Sequence, residues 1–271
     1  MSNLQLRVIS AIVMAAVVLG LTWLGGLPFR LLSAAIAGAV LYEWCAMART
    51  AGHAARQWLT AAFLAVVLAA LVLGYSAPVI LLVLGLALVA SIAVEFIGGQ
   101  GAWSSAGLAY AGLSAIALAL LRDSDRSGLM AMLFLFAVVW ATDILAYFVG
   151  RAIGGPKLAP SISPGKTWSG AVGGTIGGVV VGIAVVEVSG GIALPQAVAI
   201  ALVLSVVSQI GDLFESWVKR RHGVKDSGNL IPGHGGVMDR VDGLVAAAFA
   251  LYVIGLILGG IDHPAHGLFP D

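Results

Sequence analysis

The chain has 271 residues, of which 60% are hydrophobic and 10% charged, with a formal net charge of +1. A soluble domain of this size could not hide so much apolar surface in one core, so the chain reads as a polytopic membrane protein, surrounded by membrane lipids. A single cysteine, Cys45, excludes an intrachain disulfide.

Apolar runs predict nine spans: Val8 to Leu24, Leu31 to Ala48, Trp58 to Leu73, Pro78 to Ile97, Ser105 to Leu121, Gly128 to Phe148, Ser169 to Val188, Ile192 to Phe214 and Val241 to Gly260. The first is expected to be retained, because WLGGLPFR after it lacks a small-x-small cleavage site. The fold expected is all-α, a transmembrane helical bundle. Nine crossings from a cytoplasmic amino terminus put Arg7, Arg49, Arg56, Arg151, Lys157, Lys166, Lys219, Arg220, Arg221, Lys225 and Arg240 inside. Only Arg30, Arg122 and Arg126 fall outside, which is the positive-inside bias of membrane proteins.

Residues 1–127 carry little that reads as chemistry and are expected to be a scaffold of five spans; residues 128–271 are expected to be the catalytic region. Glu43 and Glu95 fall near span ends and are expected at the interface, and Trp23, Trp44, Trp58 and Trp103 fit an interfacial aromatic belt.

Composition changes at Trp140. Asp143 lies inside an apolar span, where a carboxylate is costly and marks a functional position, and Tyr147 four residues on shares its helical face. The segment after this span reads as a loop rich in Gly and Pro. It supplies Lys157, Ser161, Ser163, Lys166 and Thr167, ammonium and hydroxyl groups suited to phosphate oxygens. Its GKT is a poor P-loop, since Pro160 stands where the upstream glycine is needed and no strand is expected before it.

The densest polar stretch is Ser216 to Asp242, SWVKRRHGVKDSGNLIPGHGGVMDRVD, which holds eight of the chain's 14 basic and 13 acidic side chains. Asp212, Glu215, Ser216 and Lys219 recur at helical spacings of three and four and so share one face. Asp239 and Asp242 open the next span across a glycine-rich loop that contains His234. Carboxylates of this kind suit a hard cation such as magnesium, and Asp212 and Asp239 are the ligands expected. HPAH, His263 to His266, is expected to be a polar tail on the opposite side. By charge and spacing alone, the chain performs metal-assisted chemistry on a phosphate at a membrane face. An ion-coupled transporter using Asp143 and Asp212 is the competing class; it should distribute polar groups through its depth and often repeat its architecture, and neither is evident here.

The pattern S-x-V-K-R-x4-K-D-S-G-x2-I-P-x-H-G-G-x2-D-R-x-D, as it stands in this stretch, resembles the signature of the phosphatidate cytidylyltransferases. Residues 163–170 are similar to that family's S-P-x-K-T-x-E-G element, with Ser169 where Glu is usual and Gly165 where Lys is common. The resemblance implies CTP and phosphatidic acid as substrates, a divalent cation with room for a second such as potassium, and an inner-membrane location. No nucleic-acid partner is expected, and a homodimer through spans 1 to 5 stays open. The residues expected to act in catalysis are Asp143, Lys166, Lys219, Lys225, Asp226, His234, Arg240 and Asp242. Ser163, Thr167, Ser216 and Arg220 join Lys166, Lys219, Lys225, His234 and Arg240 in substrate binding.

Overall fold

The computed structural model describes residues 3–48, 54–98, 101–231 and 233–270; side chains are described from residue 8 in the first helix and from residue 57 in the third. Arg49 lies outside the described residues, as do the side chains of Arg7 and Arg56. Nine helices occur among the described residues: α1 Asn3–Leu24, α2 Gly26–Met47, α3 Ala54–Val72, α4 Ala77–Ile97, α5 Trp103–Arg122, α6 Arg126–Ile153, α7 Trp168–Ser189, α8 Leu194–Arg221 and α9 Met238–Gly259. Seven are long and apolar enough to cross a membrane; in α1 and α3 the apolar parts run Val8–Leu24 and Gln57–Val72. Helices suit this composition because in hydrocarbon every backbone N–H and C=O must be paired within the chain.

Between α6 and α7 the expected loop is instead a two-stranded antiparallel hairpin, β1 Lys157–Ala159 and β2 Ser163–Thr167. A strand therefore does precede α7, contrary to the sequence reading. Pro160, Pro164 and Gly165 hid it, because they mark a turn in sequence, whereas here the pairing of Lys157 with Thr167 and Ala159 with Ser163 carries the chain through. Thr167 ends β2 and caps α7, its hydroxyl accepting from the Gly170 N–H at 3.1 Å.

The chain packs as two compact units, one of residues 1–120 with 224–240 and one of residues 121–223 with 241–271. The expected boundary after residue 127 concerns chemical role, which packing does not decide.

In the first unit, α1 packs on α2, α2 on α3 and α3 on α4. Trp23 and Trp58 are exposed as expected of a belt, but Trp44 is buried, stacked on Trp103 at 4.6 Å with its indole N–H donating to Trp103 O at 2.9 Å. Glu43 and Glu95 are likewise buried. Glu95 accepts the Ser104 and Ser105 N–H groups that open α5, at 2.8 and 3.3 Å. Glu43 does the same for α9: Val237 N and Met238 N donate to it at 2.8 Å each, and Ser227 Oγ donates at 3.0 Å. A side chain at Gly236 would collide with Glu43 and Ser227, so the loop reaches this anchor only because position 236 is bare.

In the second unit, α7 packs on α6 and α8, and α6 also meets α8. The α6–α7 approach is backbone to backbone: a Cβ on Gly174 would lie 2.6 Å from Thr142 O. A polar seam crosses the three helices, with Thr142 Oγ1 2.8 Å from Ser205 Oγ and Gln209 Nε2 donating to Thr175 Oγ1 at 2.9 Å. The segment 260–270 is not a loose polar tail. Ala265, Leu268 and Phe269 are buried, Phe269 meets Phe134 edge to face at 5.9 Å, and Ile192 N donates to Leu268 O at 3.0 Å.

Removing the Glu43 carboxylate strands three donors in a buried place, each worth about 1–3 kcal/mol when unsatisfied. Glu43→Ala should cost about 3 kcal/mol or more and speed hydrogen exchange across residues 227–238, while amides of α7 stay protected. Unchanged exchange in that loop would show that Glu43 does not hold it.

Candidate functional site

The second unit contains a cleft of about 580 Å³ walled by α6, the hairpin, the start of α7 and α8. Asp143 and Tyr147 come from one face of α6, Lys166 and Thr167 from the end of β2, and Gln209 and Asp212 from α8. The packing of α6, α7 and α8 thus brings Asp143, Lys166, Thr167 and Asp212 to one cavity. Lys166 Nζ forms an ion pair with Asp212 Oδ2, and both side chains keep partial exposure, 27% and 35%. The Lys166 nitrogen itself is buried against Asp212, and the pair meets the cleft through the rest of the two side chains. Arg151 and Lys157 add positive charge at the rim, with Arg151 donating to Tyr147 Oη at 2.8 Å.

The hairpin's seat depends on a residue that departs from the family pattern. Ser169 Oγ donates to Gly154 O at 2.5 Å and lies 3.1 Å from Thr167 Oγ1. It fastens the end of α6 to the start of α7. Arg220, expected to bind substrate, donates through Nε to Ile162 O at 3.3 Å, so it also braces the hairpin turn. Ser163 is half-buried on β2.

The predicted shared face of α8 is present. Ser216 Oγ lies 3.4 Å from Asp212 Oδ1, and Lys219 Nζ lies 3.0 Å from Glu215 Oε2. Glu215 is fully buried and in side-chain contact with Asp242, and its Oε1 has no hydrogen-bond donor. The role of Glu215 was missed in sequence beyond its helical spacing. Just past α8, burial and then the neighbouring Arg221 push the His222 imidazole below its ordinary value, which keeps it neutral at pH 7.

The remaining expected site residues belong to the first unit. Lys225 and Asp226 are exposed. Asp226, Asn229, His234 and Arg240 line a polar pocket of about 730 Å³ in the signature loop. His234 is oriented from two sides: its Nδ1 is 2.9 Å from Ser10 Oγ of α1, and its carbonyl accepts from Arg240 Nη2 at 2.8 Å. Asp239 Oδ2 accepts the Ser227 and Gly236 N–H groups at 3.0 and 2.9 Å and lies 3.0 Å from Ser227 Oγ. Asp212 and Asp239, the expected metal ligands, therefore have their surroundings in separate units, Asp212 with an ammonium and Asp239 with loop donors.

The cleft fits a hard divalent cation by its donor set. Its acids, Asp143 and Asp212, offer only oxygen, and Asp212 already attracts a positive charge in Lys166.

Comparison with known proteins agrees with this chemistry. A family profile described as "Cytidylyltransferase family" matches residues 5–258. The phosphatidate cytidylyltransferase of Brucella suis biovar 1 (strain 1330) is 51% identical over 272 residues, covering 98% of this chain and 98% of the relative. That of Pseudomonas aeruginosa is 38% identical over 260 residues, covering 90% and 94%. That of Bacillus subtilis (strain 168) is 39% identical over 136 residues, about half of each chain. Two signature segments, an acid- and lysine-lined cleft and likeness along nearly the whole length lead to one conclusion: the chain belongs to the phosphatidate cytidylyltransferases, multi-pass membrane nucleotidyltransferases that make CDP-diacylglycerol for phospholipid synthesis.

Proposed function

We propose that the cleft between α6, the hairpin and α8 receives the triphosphate of CTP, and that it opens to the cytoplasm. The observation that carries this reading is the partly exposed Lys166–Asp212 pair inside a cavity of about 580 Å³. When nucleotide enters, Lys166 Nζ leaves Asp212 for a phosphate oxygen. Asp212, with Asp143 in the same cleft, would hold magnesium, which when bound neutralises triphosphate charge. Asp239 is proposed as a further acid on which magnesium dependence rests, and potassium as a second cation.

An ionised phosphate oxygen of phosphatidic acid attacks the α phosphorus of CTP. A new P–O bond forms, the bond to the bridging oxygen of the β phosphate breaks, and pyrophosphate leaves with that electron pair. The attacking oxygen needs no strong general base, so the side chains act by position and charge. Lys166 and Lys219 of the second unit offset the charge that builds on the departing pyrophosphate, and Lys225 and Arg240 are proposed as further basic residues on which turnover rests. His234, whose ring meets Ser10 and whose carbonyl accepts from Arg240, is proposed to donate to a phosphate. Thr167 shapes the phosphate seat through its cap on α7, and Ser163 and Ser216 offer hydroxyls. Glu215 and Asp242 set the position of Lys219.

Lys166→Ala should lower turnover at subsaturating CTP by at least about tenfold, roughly 1.4 kcal/mol in the barrier. Near-normal kinetics would return Lys166 to an ordinary solvated charge.

Asp212→Asn keeps shape but removes charge. Its residual activity should be small and should need a higher magnesium concentration for half-maximal rate than wild type; Asp239→Asn should shift the same curve. Well-folded variants with more than about half of wild-type turnover at limiting magnesium would remove these acids from the mechanism.

Orientation is checked by single cysteines on a Cys45→Ala background. Replacements at the exposed residues Ser161 and Asn229 should react only from the cytoplasmic side, and one at the exposed Asp262 only from the other. Labelling of the first two from opposite sides would overturn the nine-span topology.

A further inference from the structure

At the other end of α6 from the cleft, the second unit gathers four side chains that the reaction does not use. Asp125 caps α6 with Oδ1, which accepts the Gly128 N–H at 2.7 Å, and presents Oδ2 to His266 Nε2 at 2.5 Å. His263 Nδ1 lies 3.3 Å from Asp123 Oδ2. The two imidazoles are 4.8 Å apart by ring centre and 11° from parallel. One ligand atom from each of Asp125, His263 and His266 lies within 4.8 Å of the others, a spread that small side-chain rotations close onto one ion.

The frame around them is fixed on both sides. His266 N donates to His263 O at 3.1 Å, a turn that turns both rings the same way, and buried Ala265, Leu268 and Phe269 fasten that turn to the unit. On the acid side, Arg122 Nη1 donates to Asp125 O at 3.0 Å. Asp123 adopts φ 38°, a left-handed conformation that is costly away from glycine and is held here by its surroundings. Ion pairs alone would need one imidazole per acid and no convergence of three ligand atoms.

We propose that Asp125, His263 and His266, with Asp123 as the fourth ligand, form a site for a borderline divalent ion of the zinc type. Two imidazole nitrogens select such an ion over magnesium, and two carboxylates match its charge. Bound there, the ion ties the α5–α6 turn to the C-terminal segment and stabilises the folded state.

The test uses the purified full chain in detergent, stripped with chelator and titrated with zinc and, separately, cobalt(II). Wild type should bind about one zinc more per chain than His263→Ala/His266→Ala, its Tm should rise with zinc while the variant's does not, and cobalt should give intense tetrahedral d–d absorption absent from the variant. His263→Ala alone, an exposed position, should weaken zinc binding by at least about a hundredfold and leave turnover with magnesium and CTP unchanged. Comparing variants separates this site from other histidines and from the cleft acids. Equal zinc stoichiometry and equal Tm response in wild type and His263→Ala would overturn the proposal and leave two His–Asp ion pairs. Should the double variant fail to fold, the single variant and the wild-type cobalt spectrum decide, and absence of tetrahedral bands in wild type would also overturn it.

Discussion

A carboxylate inside an apolar helical protein must be answered by donors close at hand, and the kind of donor decides what the acid can do. Glu43 and Glu95 are answered chiefly by backbone N–H groups at the starts of α9 and α5. Those donors cannot swing away, so these acids are fixed parts of the scaffold. Asp212 and Glu215 are answered by Lys166 and Lys219, ammonium groups on flexible stems. A competing anion can draw such donors off, which is what the proposed function asks of acids beside an entering nucleotide.

The same distinction explains the two halves of the signature loop. Its serine and glycines, Ser227 and Gly236, serve Glu43 and Asp239 and set the loop's course. Asp226, His234 and Arg240 line the polar pocket that this course creates. A change at an anchoring position would therefore harm function through geometry, although it touches no reacting atom.

Much of this was legible in sequence because apolar runs and helical spacing are local signals. Nine apolar runs became nine helices among the described residues, and the four-residue spacings on α8 put Asp212 beside Ser216 and Glu215 beside Lys219. What was hidden is nonlocal. Glu43 meets Ser227 across 184 positions, and Thr142 meets Ser205 across 63, so neither looks unusual in its own segment. The hairpin was hidden by Pro160 and Pro164. The buried C-terminal segment was hidden because HPAH is polar, while Leu268 and Phe269 beside it do the seating. Ser169 reads as a missing carboxylate in the family element; in three dimensions it is a clasp on Gly154.

The lengths of α6 and α8 have a consequence for the lipid substrate. Each has 28 residues, which at 1.5 Å per residue is about 42 Å against a hydrocarbon thickness of about 30 Å. Toward the cleft each helix carries charge, Arg151 in α6 and Glu215, Lys219, Arg220 and Arg221 in α8, and the Arg220–Ile162 bond joins that end of α8 to the hairpin. On the proposed function, the two helices would act as a depth gauge. Their surplus length would carry the cleft's side chains to the level of the bilayer's own headgroups, so a phosphatidic acid molecule would react by drifting sideways in its leaflet, with its acyl chains never leaving the oil.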